Sequence, residues 1–423
     1  MIQKTWARLF PNPTFYGWAI VGLCFLATTL SSPGQSFAIS LYIEHVIDSL
    51  GVSRLQVSSL YGAMTLMAAF CLPAVGSLAD SISGRRFITL NLILLALAIA
   101  FFGTVQNLVM LAIAFFFLRL LGQGAIGLGT LTVIVLWFRR FRSRALAVGG
   151  LGYAFGELIF PATIVGLIAW VGWRQSLWLM AGIYLIVFVP LLWWLLRPRQ
   201  KGEPFDGGAT NEAVDDNAPS APTEISFSLQ EALKTPTFWG LLIAVAILPL
   251  VVTAVIFHQV ALFNSVGWGA EFIPISFVFF AITSVATSYI AGILLETIPS
   301  RFGVTVGMLC AVAALMVAAY LQGSPLAVSL LYGILLGASS GILTAANNII
   351  WPDYYGIESL GAIKGVVSGV RNGATAAGPP LVAWLIGSEE LFLSAFWVLA
   401  AMSLFAAILA LFLPPPKSDP QAD

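Results

Sequence analysis

Residues Gly76–Arg86 read GSLADSISGRR, a short charged turn between two long apolar runs, Leu55–Leu78 and Phe87–Val105. Lipid tolerates neither free charges nor irregular backbone, so such a turn stands in water at one membrane face. The signal returns as GILLETIPSR at Gly292–Arg301. Gly76/Gly292, Leu78/Leu294, Asp80/Glu296 and Arg85/Arg301 each differ by 216 residues. Matched positions at one spacing, midway through each half, point to an internal duplication. Gly127/Gly341, Thr130/Thr344 and Trp137/Trp351 repeat more weakly, at an offset of 214. The drift places a small length change between the third and fourth spans of each half.

Composition agrees with a chain embedded in lipid. Of 423 residues, 59% are hydrophobic and 9% charged, against about 25% charged in a soluble domain. A soluble particle of this composition could not cover itself with polar surface. The formal net charge is zero, so no nucleic-acid footprint is expected. Cys24, Cys71 and Cys310 lie in apolar runs without ligand spacing and read as small packing residues. The N-terminal MIQKTWARLFPNP has no apolar core followed by a cleavage site, so the first span reads as an uncleaved anchor.

A helical span takes about 20 apolar residues. Twelve are expected, over 16–43, 55–80, 86–105, 108–137, 145–169, 174–196, 237–263, 271–296, 302–321, 326–351, 362–386 and 391–413. Pro33-Gly34 and Gly378-Pro379-Pro380 are expected bends. Lys4, Arg8, Arg85, Arg86, Arg139, Arg140, Arg142, Arg144, Arg197, Arg199, Lys201, Lys234, Arg301, Lys364 and Lys417 all fall on one side of this path. Arg54 and Arg174, with Glu44, Asp48, Glu271, Glu389 and Glu390, fall on the other. That bias predicts a multi-pass protein with both termini in the cytoplasm. The expected organisation is an N-terminal six-helix bundle over 1–197, a linker over 198–235, a C-terminal bundle over 236–414 and a tail over 415–423. The linker is polar and Pro/Gly/Ala-rich, with a short amphipathic surface helix over Ser226–Leu233.

Ionisable groups inside a span cost from about 2.5 kcal/mol upward, so each needs a partner or a watery cavity. Here they are Arg119, Glu157 and Arg371, with His258 nearer a span end. Arg371 lies about ten residues into the eleventh span, roughly 15 Å along it at 1.5 Å per residue. Gly369 and Gly373 leave room around it and Asn372 adds an amide. A guanidinium holds a carboxylate with two parallel hydrogen bonds, which makes Arg371 the leading ligand for a substrate carboxylate. The bland alternative is an arginine bonded to backbone carbonyls.

Arg119 and Glu157 fall at matching depths in the fourth and fifth spans and are a candidate pair. One version of the pair is structural. In the other, Glu157 gains and loses its arginine during transport and so carries a proton. His258 is a second candidate for proton relay, set against a hydrogen-bonded packing role. Asn347 and Asn348 lead a set of polar residues able to line a cavity, with Gln35, Tyr61, Gln123 and Tyr153. No metal cluster, cofactor motif or nucleophile–base spacing occurs. GQGAIGLG at Gly122–Gly129 lies within an apolar span with no strand before it, so helix packing explains it better than nucleotide binding.

GSLADSISGRR resembles the loop motif G-x-L-x-D-R-x-G-R-R/K of the major facilitator superfamily. Gly76, Leu78, Asp80, Gly84, Arg85 and Arg86 match, while Ser81 stands where the family has Arg. FYGWAIVGLCFLA, SLQEALKTPTFW and VGWR (Val171–Arg174) look like its monocarboxylate and oxalate/formate branch. Departures are the absence of a basic residue in Phe272–Leu295 and Gln123 in place of Gly. The resemblance implies an all-α membrane protein of twelve transmembrane helices, in two six-helix bundles with pseudo-two-fold symmetry. It also implies alternating access about a central site, with no enzyme activity and no cofactor. The expected function is secondary transport of a small organic anion, a monocarboxylate, by proton symport or anion exchange. The partners are that anion, protons and the lipid bilayer of the cell inner membrane, and the chain is taken as a monomer. Arg371, Asn372, Asn347, Asn348 and Arg119 would bind substrate, and Glu157 and His258 would couple protons. Gly76, Asp80, Gly84, Arg85, Arg86, Glu296 and Arg301 would gate the access states. The alternatives are a proton-coupled exporter of amphipathic compounds and a non-transporting membrane sensor.

Overall fold

Long apolar runs have no water to satisfy their backbone, so they close their hydrogen bonds within each segment. The computed structural model describes residues 13–138, 141–197, 227–320, 324–356, 359–387 and 392–416, and among these every regular element is helical. Eleven helical stretches are long and apolar enough to cross a membrane, from Tyr16–Leu50 to Phe392–Phe412. The twelfth long helix is Leu360–Ile386. It falls short on hydropathy because it carries Lys364, Arg371, Asn372 and a run of Gly and Pro. Residues 198–226 of the linker expected over 198–235 lie outside the described residues, as do Lys4, Arg8, Arg139, Arg140, Arg199, Lys201, Glu389, Glu390 and Lys417.

The first span extends beyond the expected 43. Pro13–Thr29 ends at a 3-10 turn, Ser32–Gly34, and a second helix runs over Ser36–Leu50. Pro33 lies within the turn and cannot donate to a preceding helical carbonyl, which favours a break there. The seventh span is also broken, into Pro236–Phe257 and Gln259–Ser265, with His258 between them at φ −100°, ψ 7°. The fourth span, Leu108–Trp137, contains a π-helical segment over Arg119–Ala125. The eleventh helix, by contrast, runs without interruption through Pro379 and Pro380.

Within the segment expected to form a surface helix, Leu229–Lys234 is helical, capped by Ser228 and Glu231 in a reciprocal box. The Ser228 hydroxyl accepts from the Glu231 backbone, and Glu231 accepts from the Ser228 backbone.

Contacts divide the chain into two compact units. One comprises residues 1–38, 70–156 and 167–220, and the other 39–69, 157–166 and 221–423. Each unit contains the same joints, and these give the sequence repeat a physical meaning. In the first, Trp137 at the end of the fourth span packs on Tyr16 at the start of the first, with ring centroids 5.4 Å apart. In the second, Trp351 packs on Phe238 at the start of the seventh span, also at 5.4 Å. Gly152 brings the fifth span onto the first, where an added Cβ would lie 2.3 Å from the Phe25 carbonyl oxygen. Gly378 does the same for the eleventh and seventh spans, at 2.3 Å from the Leu250 oxygen. Small residues let membrane helices approach this closely. Gly333, Gly337 and Gly341 form a further seam, each facing an eighth-span carbonyl.

Candidate functional site

The break in the first span frees backbone carbonyls that must be satisfied within the protein. Arg119 supplies one answer. It is buried, and its Nη1 donates to the Gly34 carbonyl at 3.0 Å and to the Ser36 hydroxyl at 3.4 Å. The Tyr184 hydroxyl donates to the Leu30 carbonyl at 2.8 Å. Gln35 Nε2 reaches the Gly122 carbonyl at 3.4 Å. The guanidinium is therefore engaged with the broken helix, the bland alternative raised for a buried arginine. Glu157 belongs to the other unit, where its half-buried side chain makes no hydrogen bond or ion pair with any described residue of that unit.

Arg371 differs from Arg119. It is half-buried in the middle of Leu360–Ile386 and makes no hydrogen bond or ion pair with any described residue; its Nε is fully buried without an acceptor. Space surrounds it on its own helix. An added Cβ at Gly365 or Gly369 meets nothing within 4 Å, and at Gly373 only Leu66 at 3.9 Å. Asn372 and Asn348 are exposed, while the Asn347 amide oxygen accepts from Trp351 Nε1 at 3.1 Å.

His258 sits in the seventh-span break, buried, with Nε2 3.0 Å from the Pro379 carbonyl oxygen. Its neighbour Gln259 donates to the Ser276 hydroxyl at 2.5 Å. Tyr61, expected near a cavity, is buried and packs on Phe257 at 4.6 Å. Beside it Gly62 lets the second span approach the Ala376 carbonyl, 2.5 Å from an added Cβ. That carbonyl lies four residues before Pro380 and so lacks its helical donor.

Among the turn residues, the Arg85 guanidinium lies 4.0 Å over the Trp193 ring, a cation–π contact. Gly84 is required sterically, since an added Cβ would fall 2.2 Å from Val133 Cγ2. Gly76 has open space, Arg86 and Glu296 are exposed, and Arg301 lies 5.4 Å from the adjacent Phe302 ring. The Asp80 side chain lies outside the described residues.

Sequence reasoning did not find the bidentate pair of Arg54 with Glu44, at 2.5 and 2.9 Å. Both residues had been read only as charges at a membrane face. It also missed Tyr332, whose buried hydroxyl finds no partner beside Gln259 and Ser276. No spacing rule would have found either contact.

Broken helices, glycine-packed joints and an intramembrane cation that no described residue pairs with mark a polytopic membrane protein. The comparisons give the family. The sequence profile of the Major Facilitator Superfamily matches residues 24–334, with a second match over 251–423, and the chain belongs to that superfamily. It is a multi-pass secondary transporter and not an enzyme. The fold is similar to that of a bacterial homologue of the human lysosomal transporter Spinster, in an inward-facing and unoccupied conformation. That similarity has a TM-score of 0.73 at 17% identity, over 94% of this chain and 96% of the other. It is also similar to the nucleoside transporter NupG, with a TM-score of 0.71 at 12% identity, over 95% and 100%. No curated protein matches by sequence.

Proposed function

We propose that this transporter carries a small organic anion, a monocarboxylate, with Arg371 as its ligand. The observation behind this is a guanidinium within a membrane-spanning helix that no described protein group accepts from. An intramembrane charge without compensation is costly. A carboxylate supplies two acceptors in the geometry a guanidinium presents. One basic residue, with none in Phe272–Leu295, favours a singly charged substrate over a dicarboxylate. The exposed amides of Asn372 and Asn348 are the nearest candidates to complete recognition, with Asn347 if it releases Trp351. Arg119 joins them only by giving up Gly34 and Ser36, which would tie substrate contact to the first-span break. Glu157 and His258 are the proposed proton carriers for symport, with anion exchange as the other coupling mode.

In this reading the turn residues Gly76, Asp80, Gly84, Arg85, Arg86, Glu296 and Arg301 bias the two access states. The charge bias of the loops supports a topology with both termini in the cytoplasm, and the cell inner membrane is the membrane assigned in this reading.

Liposome uptake of labelled monocarboxylates tests the assignment. Removing a charge-assisted pair worth about 1.5–3 kcal/mol predicts roughly a 10- to 150-fold fall in transport efficiency for Arg371→Gln. Arg371→Lys is expected to fall as well, because an ammonium lacks the planar fork. Normal anion uptake by Arg371→Gln refutes the assignment; uptake of neutral amphiphiles by either variant would favour the exporter.

A further inference from the structure

The repeat supplies an internal control for a feature the transport reading leaves unused. In the first unit Phe87 is fully buried and packs with Ala79, Ala125, Val75 and Ile82. At the offset of 216 found for the turns, Phe87 corresponds to Gly303, and Val75, Ala79 and Ile82 to Ala291, Leu295 and Ile298. Where the first unit holds a phenyl ring, the second has Leu295 and Ala346 against Gly303, with a groove beside them. This groove of about 180 Å³ lies between the eighth and ninth spans, walled by Ala291, Leu294, Ile298, Phe302, Gly303 and Ile342. Leu343, the counterpart of Gly129, recovers some volume toward Gly307 but does not line the groove. Leu294, Ile298 and Phe302 are exposed, so the groove opens on the side that faces lipid.

A second asymmetry lies beside it. Arg85 is covered by Trp193 at 4.0 Å, whereas its counterpart Arg301 has the adjacent Phe302 ring at 5.4 Å and interacts with Tyr354, which Asp353 also faces. Arg301 makes no hydrogen bond or ion pair with a described residue, and its Nε is buried without an acceptor. Phe302 is thus both a wall of the groove and the ring nearest this cation. An apolar slot next to a cation that no described residue pairs with, at the start of the ninth span, matches an amphiphile with an anionic head. We propose that the groove is a binding site for one acidic phospholipid. An acyl chain lies in the groove beside Gly303, and the head-group phosphate is held by Arg301. Only this half of the transporter would then sense lipid charge. The inference does not rest on the role of Arg371, because lipid retention is read without transport.

Native mass spectrometry of the purified, delipidated full chain tests it, with phosphatidylglycerol or phosphatidylcholine of identical acyl chains added back. The wild type is expected to retain one phosphatidylglycerol in preference to phosphatidylcholine. Arg301→Gln should lose that preference, lowering phosphatidylglycerol retention about tenfold as one charge-assisted contact disappears. Gly303→Phe should abolish retention of both lipids. An added Cβ there meets Leu295 Cδ1 at 2.9 Å and Ala346 Cβ at 3.0 Å, so Ala291→Phe serves as a second filler should the first fail to fold. Equal retention of the two lipids by the wild type overturns the proposal. So does unchanged retention by a folded Gly303→Phe or Ala291→Phe variant.

Discussion

Gly34→Ala tests whether the break in the first span is a packed joint rather than a loose bend. A Cβ at Gly34 would lie 2.2 Å from the Leu118 carbonyl oxygen and 2.6 Å from Gly122 Cα. Both are backbone atoms, so no rotamer change relieves the clash and the first and fourth spans must separate. Overpacking a filled interior costs about 1–3 kcal/mol. Separation also stretches the 3.0 Å bond from Arg119 to the Gly34 carbonyl. Hydrogen bonds within membranes are worth about 0.6 kcal/mol on average and about 1.7 at most, and a charged donor belongs near the upper end. Together the loss comes to roughly 2–5 kcal/mol. At about 2–4 °C per kcal/mol for a unit of this size, the melting temperature falls by at least about 4 °C. Thermal unfolding of the purified protein in detergent reads this directly. Gly22→Ala is the control on the same span, because its Cβ meets nothing within 4 Å, and it should melt at or slightly above the wild type. A Gly34→Ala protein melting with the wild type would refute the joint and, with it, the fixed placement of Arg119.

Tyr332→Phe removes a buried hydroxyl that has no partner, so stability should hold or rise by up to about 1 kcal/mol; a clear drop in melting temperature would mean that the hydroxyl is satisfied. The Glu231 carboxyl is held below its ordinary 4.5 first by the Ser228 backbone N–H, then by the Ser228 hydroxyl and Lys234, against slight desolvation. A depressed folded value means the box stabilises Leu229–Lys234 above 4.5 and is lost as pH falls through that lower value. Hydrogen exchange over this segment should therefore show acid-dependent loss of protection, while Glu231→Gln should lack that dependence; identical profiles would rule out the box as its source.

What the sequence showed depended on whether the cause was local. The charged turns at Gly76–Arg86 and Gly292–Arg301 were legible because the contrast between lipid and water is written directly into residue type. The Pro33-Gly34 break was legible because proline removes its own donor. The break at His258 was not, since IFHQVALF contains no helix breaker. There a ring nitrogen reaches Pro379, 121 residues away, and such a contact leaves no local pattern. The π-helical segment after Arg119 was equally hidden, although its glycines were noted. The depth of Arg371 followed from counting residues, but its lack of a partner did not. Arg119 looked equivalent in sequence and proved to be hydrogen-bonded to Gly34.

That difference bears on where the chemistry resides. The two halves share the joints that a rocking scaffold needs: a tryptophan on an aromatic ring, and a glycine of the fifth or eleventh span against a carbonyl of the first or seventh. Duplication conserves such joints cheaply, because each half must pack for the same reason. Binding needs only one departure from the pattern. In the first half the intramembrane guanidinium is hydrogen-bonded to a backbone that the first-span break left exposed, so its charge serves the fold. In the second half the guanidinium of Arg371 serves no described bond, while glycines hold space open beside it. An uncompensated cation in a membrane span is a cost that packing alone does not explain. A ligand that enters with a carboxylate and leaves again is a physical reason for keeping it.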